Sequence, residues 1–192
     1  MSKVKETAKI SVILFLITAI AALLLAFVNA KTAPLIAKNE EKKISDALKV
    51  VMPEAADFEK TEPNSIALSA AEKYDSDIIE LYTAKGSDGS DTGICAIVET
   101  KGYDAGLRSA IGVDKNGTVT GVEIISHKET PGLGANAEKE EFRSQYIGKS
   151  GELEVVKTGA GDNEINAISG ATLTSKGVTR AVNTVIEIAS QQ

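Results

Sequence analysis

The apolar and polar positions change pattern several times along the chain. Residues 10–28 (ISVILFLITAIAALLLAFV) form an apolar run of 19 residues without a charge. As a helix rising 1.5 Å per residue it spans about 28 Å, close to the roughly 30 Å core of a bilayer. Beyond it, Ile36, Ile44, Ala47, Leu48 and Val51 recur at spacings of three, four or eight. That period predicts an amphipathic helix started by Pro34 and stopped by Pro53. Residues 53–77 mix Pro, Asp, Glu, Ala and Ser and read as loop with room for a short helix.

Strand patterning then takes over. Residues 78–83 and 93–100 (GICAIVET) read as strands on either side of the turn-rich 86–91. Residues 107–113 and 118–127 read as a hairpin closed by Asp114-Lys115-Asn116-Gly117, since Asn-Gly tolerates positive φ. Residues 137–146 are polar and helix-prone, and 153–157 suggest a short strand. In 175–189, Val178, Ala181, Val182, Val185, Ile188 and Ala189 make one apolar stripe, so the chain closes on a helix. The expected fold class is α+β: a small, mostly antiparallel sheet with flanking helices, preceded by one N-terminal transmembrane helix.

The charges orient this plan. Lys3, Lys5 and Lys9 precede the apolar run, so the positive-inside rule puts the N-terminus in the cytoplasm and the remainder across the membrane. The expected organisation is a cytoplasmic 1–9, a span at 10–28, an amphipathic helix and linker at 29–77, and an extracytoplasmic domain at 78–192. A cleaved signal peptide is the other reading, with small residues at Val28-Asn29-Ala30. The run exceeds the roughly 7–15 residues of a signal-peptide core, which favours a retained anchor in the bilayer. Both readings export the rest of the chain.

Composition narrows the chemistry. With 21 Lys+Arg against 27 Asp+Glu, the net charge of −6 argues against nucleic acid as a partner. One Cys and one His leave no material for a disulfide framework, a CxxC pair or a His- or Cys-rich metal cage. Cys95 sits in an apolar strand, as a buried and inert thiol would.

Two segments carry unusual composition. The first is His127-Lys128-Glu129-Thr130-Pro131-Gly132-Leu133-Gly134, directly after a strand. Pro131 fixes φ, while Gly132 and Gly134 permit close backbone approach. Such a loop suits either a flat ligand or a plain strand-to-helix turn. The second is Ser169-Gly170-Ala171-Thr172-Leu173-Thr174-Ser175, just before the last helix. Its small residues, hydroxyls and helix N-terminus suit a phosphate. It also reads as a capping segment with Thr174 or Ser175 as N-cap.

SGATLTS together with HKETPGLG resembles the FMN-binding domain of the flavin-carrying subunits of redox-driven ion pumps. The chain looks like the G subunits of Rnf-type ferredoxin:NAD oxidoreductases and is similar to the C subunits of sodium-translocating NADH:quinone oxidoreductases. The resemblance covers roughly residues 93–189, and the anchor fits it too. It implies FMN joined covalently, through its phosphate, to Thr172 by a flavin transferase that uses FAD. It also implies electron relay between neighbouring membrane and redox subunits of an ion-translocating complex. Flavin exchanges one or two electrons and so links the two kinds of carrier.

Carried onto this sequence, Gly170 and Ala171 keep the acceptor accessible, and Ser169, Thr174 and Ser175 flank it as further cofactor-binding positions. The backbone of Thr130, Pro131, Gly132 and Gly134 lines the ring, Leu133 covers a ring face, and Glu129 hydrogen-bonds the ring or ribityl chain. Lys176 either offsets the phosphate charge or is a solvated surface lysine. Tyr103 either stacks near the flavin or is a sheet-edge loop residue. His127 has pH-switch chemistry available but reads as a surface or packing residue. The motif usually has Asp three residues before its Ser, where this chain has Asn166. A flavin-free anchored domain, with SGATLTS as a helix cap, is the alternative of another class.

Overall fold

The computed structural model describes Ser2–Gln191. The chain divides into two compact units, Met1–Lys42 and Lys43–Gln192. Helix α1 (Ser2–Val51) makes up the described part of the first unit and continues into the second. Its most apolar 18-residue window has a mean hydropathy of 2.9 and is entirely unburied, so by length and composition it can cross a membrane. The separate helix expected from Pro34 does not exist: α1 passes through Pro34. Proline removes one amide donor from the ladder, and the surrounding run of good helix formers carries the helix through that single loss. Ile36 is accordingly exposed, and only Ile44, Ala47, Leu48 and Val51 of the expected stripe pack inward.

The second unit holds a five-stranded antiparallel meander: β1 (Asp57–Thr61), β2 (Ser76–Lys85), β3 (Asp91–Thr100), β4 (Leu107–Asp114) and β5 (Val119–Ser126). The antiparallel α+β fold is thus as the sequence suggested, with β1 as one strand more in this sheet and a further short strand at Glu164–Asn166 outside it. β1 lies in the stretch read as loop, because at this sheet edge only Phe58 and Thr61 turn partly inward. The short helix there is α2 (Ser65–Lys73), capped by Asn64, whose side chain accepts from the Ala67 amide at 2.9 Å. The compact unit therefore starts near residue 43, ahead of the expected boundary at 78.

Both faces of the sheet are covered. On one side, Ile94, Ala96 and Val98 of β3 join Ile111 and Val113 of β4 under α4 (Thr172–Ser190), which contributes Val178, Ala181, Val182 and Val185. On the other, Cys95, Ile97, Ala84 and Ala110 meet Ala47, Leu48, Val51 and Met52 at the end of α1. Burial pushes the Cys95 thiol up to about 12. The β4–β5 turn is the expected one: Gly117 has φ +77°, and Asp114 Oδ1 accepts from the amides of Asn116 and Thr118, each at 2.8 Å.

Beyond β5 the polar segment breaks into short turns around α3 (Glu140–Arg143) instead of one helix. The small strand β6 (Glu154–Val156) pairs in parallel with β7 (Glu164–Asn166), and β7 delivers the chain to the start of α4.

Candidate functional site

A cleft of about 550 Å³ opens where three segments meet: the loop around Tyr103, the turn after β5, and the start of α4. Its walls are Tyr103, Glu129, Thr130, Leu133, Gly134 and residues 170–174. The structure therefore brings the two sequence motifs, separated by some 40 positions, into one site.

The turn after β5 is tied down locally. Thr130 O accepts from the amides of Leu133 (3.1 Å) and Ala135 (3.2 Å), and Asn136 Nδ2 donates to Gly132 O at 2.9 Å. Gly132 has φ +80°, a conformation costly for residues with a side chain. Pro131 and Gly132 form the exposed tip of the turn and are not among the cleft walls. Leu133 is half-exposed and stands against the SGAT loop: a Cβ on Gly170 would lie 3.0 Å from its Cδ2.

The second motif differs from expectation at its helix start. α4 begins at Thr172, three positions earlier than the stripe indicated, with Ala171 as N-cap and no side-chain cap. Thr174 and Ser175 are therefore not caps. They lie inside the first turn, buried, with their hydroxyls already engaged. Thr174 Oγ1 donates to Glu129 Oε2 at 2.7 Å. Ser175 Oγ donates to Ala171 O at 3.1 Å and accepts from the Ile168 amide at 2.9 Å. Thr172 is exposed at the cleft wall. Leu173 beside it is also exposed, at 56%. The uncapped first turn presents amides and the positive end of the helix dipole next to the Thr172 hydroxyl.

The remaining candidates fall as follows. Ser169 is exposed but lines a neighbouring groove with Lys139, Gln145 and Asn166 rather than this cleft. Lys176 is exposed and is not a cleft wall. Glu129 is 6% exposed. Its Oε1 accepts from the amides of Tyr103 (2.9 Å) and Asp104 (3.4 Å), so its oxygens already have protein partners. His127 Nδ1 accepts from the Glu129 amide at 3.1 Å, which leaves its proton on Nε2, 3.0 Å from Glu138 Oε1. Packing and these two hydrogen bonds account for this histidine.

Asn166 closes the loop before the motif. Its Oδ1 accepts from the Ala160 amide at 3.1 Å, and its own amide donates to Gln145 Oε1 at 2.8 Å. Gln145 was invisible in the sequence, since nothing in its surroundings links it to residue 166. Tyr103, by contrast, carried a signal: it follows Gly102, where a side chain would collide with the Glu129 carboxylate.

The residues present fit a phosphorylated flavin: an exposed hydroxyl at a helix N-terminus, uncapped amides, and a cleft with Tyr103, Leu133 and Leu173 as its apolar edge.

Known proteins show the same plan. The FMN-binding domain family matches residues 102–187, and the RnfG N-terminal region matches residues 1–51. The G subunit of the Na(+)-translocating ferredoxin:NAD(+) oxidoreductase complex of Acetobacterium woodii is 38% identical, over 96% of this chain and 92% of that protein. The G subunit of the proton-translocating complex of Clostridium ljungdahlii is 33% identical, over 88% of this chain and 83% of its own length. The fold matches the crystal structure of the C subunit of Na(+)-translocating NADH-quinone reductase from Parabacteroides distasonis with a TM-score of 0.55 at 20% identity, covering 81% and 94% of the two chains.

Proposed function

The chain belongs to the family of G subunits of ion-translocating ferredoxin:NAD(+) oxidoreductase (Rnf) complexes, and from that premise we propose that it relays electrons through FMN esterified to Thr172. Its partners are the other subunits of a membrane complex. We read α1 as a single-pass anchor in the bilayer, with the N-terminus cytoplasmic and the sheet unit extracytoplasmic.

One observation carries the assignment of Thr172. Of the hydroxyls that line the cleft from the second motif, Thr174 is buried and hydrogen-bonded to Glu129, whereas Thr172 faces solvent. Ser175 is buried behind them. Attachment would form a bond from Thr172 Oγ to the FMN-side phosphorus of FAD. The hydroxyl proton is lost and AMP leaves, with the flavin transferase as catalyst.

When bound, FMN supplies one- and two-electron redox chemistry. The chain's own part is to hold it. The uncapped amides of the first turn of α4 offset phosphate charge. Leu133, Leu173 and Tyr103 shield an aromatic ring from water, and Gly170 leaves room for the attached group. A covalent bond also retains the cofactor in a compartment from which free FMN would be lost.

The test is intact mass of the full chain co-expressed with a flavin transferase, beside Thr172→Val. A gain of about 438 Da, FMN less water, that is absent from the variant is the expected result. A folded wild-type chain without the adduct overturns covalent attachment at Thr172. Asn166→Asp is the informative companion, because the new carboxylate keeps the acceptor for the Ala160 amide.

A further inference from the structure

Glu129 has more structural partners than a cofactor ligand would need. It lies in the cleft wall, nearly fully buried, and its hydrogen bonds reach two other walls. Oε1 takes the amides of Tyr103 and Asp104, and Oε2 takes the hydroxyl of Thr174 in the first turn of α4. Two glycines make room for it. A Cβ at Gly102 would strike Oε1, and one at Gly134 would strike Oε2 and stand 2.6 Å from Thr174 Oγ1. Three chain segments thus close around one carboxylate.

These donors are two amides and a hydroxyl, none of them charged. They hold a carboxylate in place without cancelling its net charge, and in a poorly solvated site the field of that charge persists. Reduction adds negative charge to a flavin. A fixed anion in the wall of its cleft opposes that addition.

We propose that Glu129 is a positioning residue for the flavin: it latches the Tyr103 loop and the start of α4 onto the turn after β5, and its charge lowers the cofactor's reduction potential. This rests on the reading that the cleft holds FMN, and it goes beyond that reading by assigning the carboxylate a role toward the potential.

Two variants of the full chain separate the latch from the charge. Glu129→Gln keeps an acceptor oxygen for the Tyr103 and Asp104 amides. Its NH₂ faces Thr174 Oγ1, which can rotate to accept. Glu129→Ala removes the latch as well. The readouts are intact mass, the flavin midpoint potential by redox titration, and hydrogen exchange at the Tyr103 and Asp104 amides in flavin-free protein.

The expected result for Glu129→Gln is wild-type adduct mass with a raised potential. The reduced-to-oxidised ratio should shift on the order of tenfold, about 30 mV for a two-electron couple. Glu129→Ala should lose protection at both amides. A loaded Glu129→Gln protein with a wild-type potential overturns the electrostatic role. Protection that survives in Glu129→Ala overturns the latch. A wild-type chain that takes up no flavin, covalent or free, removes the reading of the cleft and this proposal together, an outcome distinct from the other two.

Discussion

The end of α1 rests on the sheet at two glycines, and adding one methyl there tests how that contact is made. Gly112 of β4 and Gly121 of β5 are paired across the strands. A Cβ on Gly121 would lie 2.6 Å from Val51 Cα and 2.9 Å from Val51 O. One on Gly112 would meet Val51 O as well, and Thr120 Oγ1 at 2.6 Å. The obstacle at Val51 is backbone, so no rotamer change relieves it. Thr120 Oγ1 also donates to Val51 O at 2.5 Å, fixing the helix end where the methyl would go. Leu48, Val51 and Met52 are all under 5% exposed, and lifting the helix end would unseal them. Burial of each such side chain contributes about 1.5–3 kcal/mol, and overpacking costs about 1–3 kcal/mol. Gly121→Ala should therefore lose about 2 kcal/mol. In an open strand the same change would stabilise by about 0.5–1 kcal/mol through the unfolded chain, so the sign alone is diagnostic. The assay is urea unfolding of the full chain in detergent, followed by tyrosine fluorescence. Tyr74, Tyr82, Tyr103 and Tyr146 all lie beyond residue 42, so they report only on the sheet unit. Both glycines press on the same backbone, so the double variant should lose less than the sum of the singles. A neutral or stabilised Gly121→Ala, or strictly additive losses, would refute this docking.

Three further expectations follow from groups that are buried or half-buried. Asn183 holds both backbone groups of Leu153, accepting from its amide at 3.0 Å and donating to its carbonyl at 2.9 Å. Asn183→Ala should cost roughly 2–4 kcal/mol in the same unfolding assay, and a loss under about 1 kcal/mol would contradict the pairing. Cys95, with its thiol held up at about 12, should resist alkylation at pH 8 in the folded chain and react fully in denaturant, as read by mass. Burial acts to raise the Glu80 carboxyl, but Lys60 Nζ at 2.6 Å and the Tyr82 hydroxyl outweigh it and hold it below the usual carboxylate range. Its contribution is therefore full above the unfolded value near about 4.3 and is lost as pH falls through the lower folded value. Glu80→Gln should flatten the acid limb of stability below about pH 4.5, and an unchanged limb would exclude the effect.

The sheet was legible where burial on both faces left a distinctive pattern. GICAIV in β3 alternates between the two cores, with Ile94, Ala96 and Val98 on one side and Cys95 and Ile97 on the other, so no polar residue interrupts it. β1 was not legible for the opposite reason: DFEKT at a sheet edge places only Phe58 and Thr61 partly inward. Strand β6 falls inside the short strand expected at 153–157, whereas its partner β7, three residues long, is too short for a period to show. Pro34 misled because proline more often starts a helix than runs through one, and the balance here is set by the long helix-forming run on both sides.

In the site, the residues by themselves located the two motifs, and only the family resemblance singled out Thr172 within them. What sorts the hydroxyls is where α4 begins, and the local signals there are weak because Ala171 occupies the N-cap. Reading the helix from Ser175 would leave Thr172, Thr174 and Ser175 equivalent. With the helix starting at Thr172, Thr174 and Ser175 are buried within its first turn, while Thr172, at its first position, stays exposed. Alanine at the N-cap forgoes about 1 kcal/mol relative to serine or threonine. A side-chain cap would occupy the very amides that a phosphate on Thr172 would use. The weak helix start and the exposed hydroxyl are thus one feature: the first turn lacks a partner of its own and lies open at the cleft, where the proposed FMN phosphate supplies the partner.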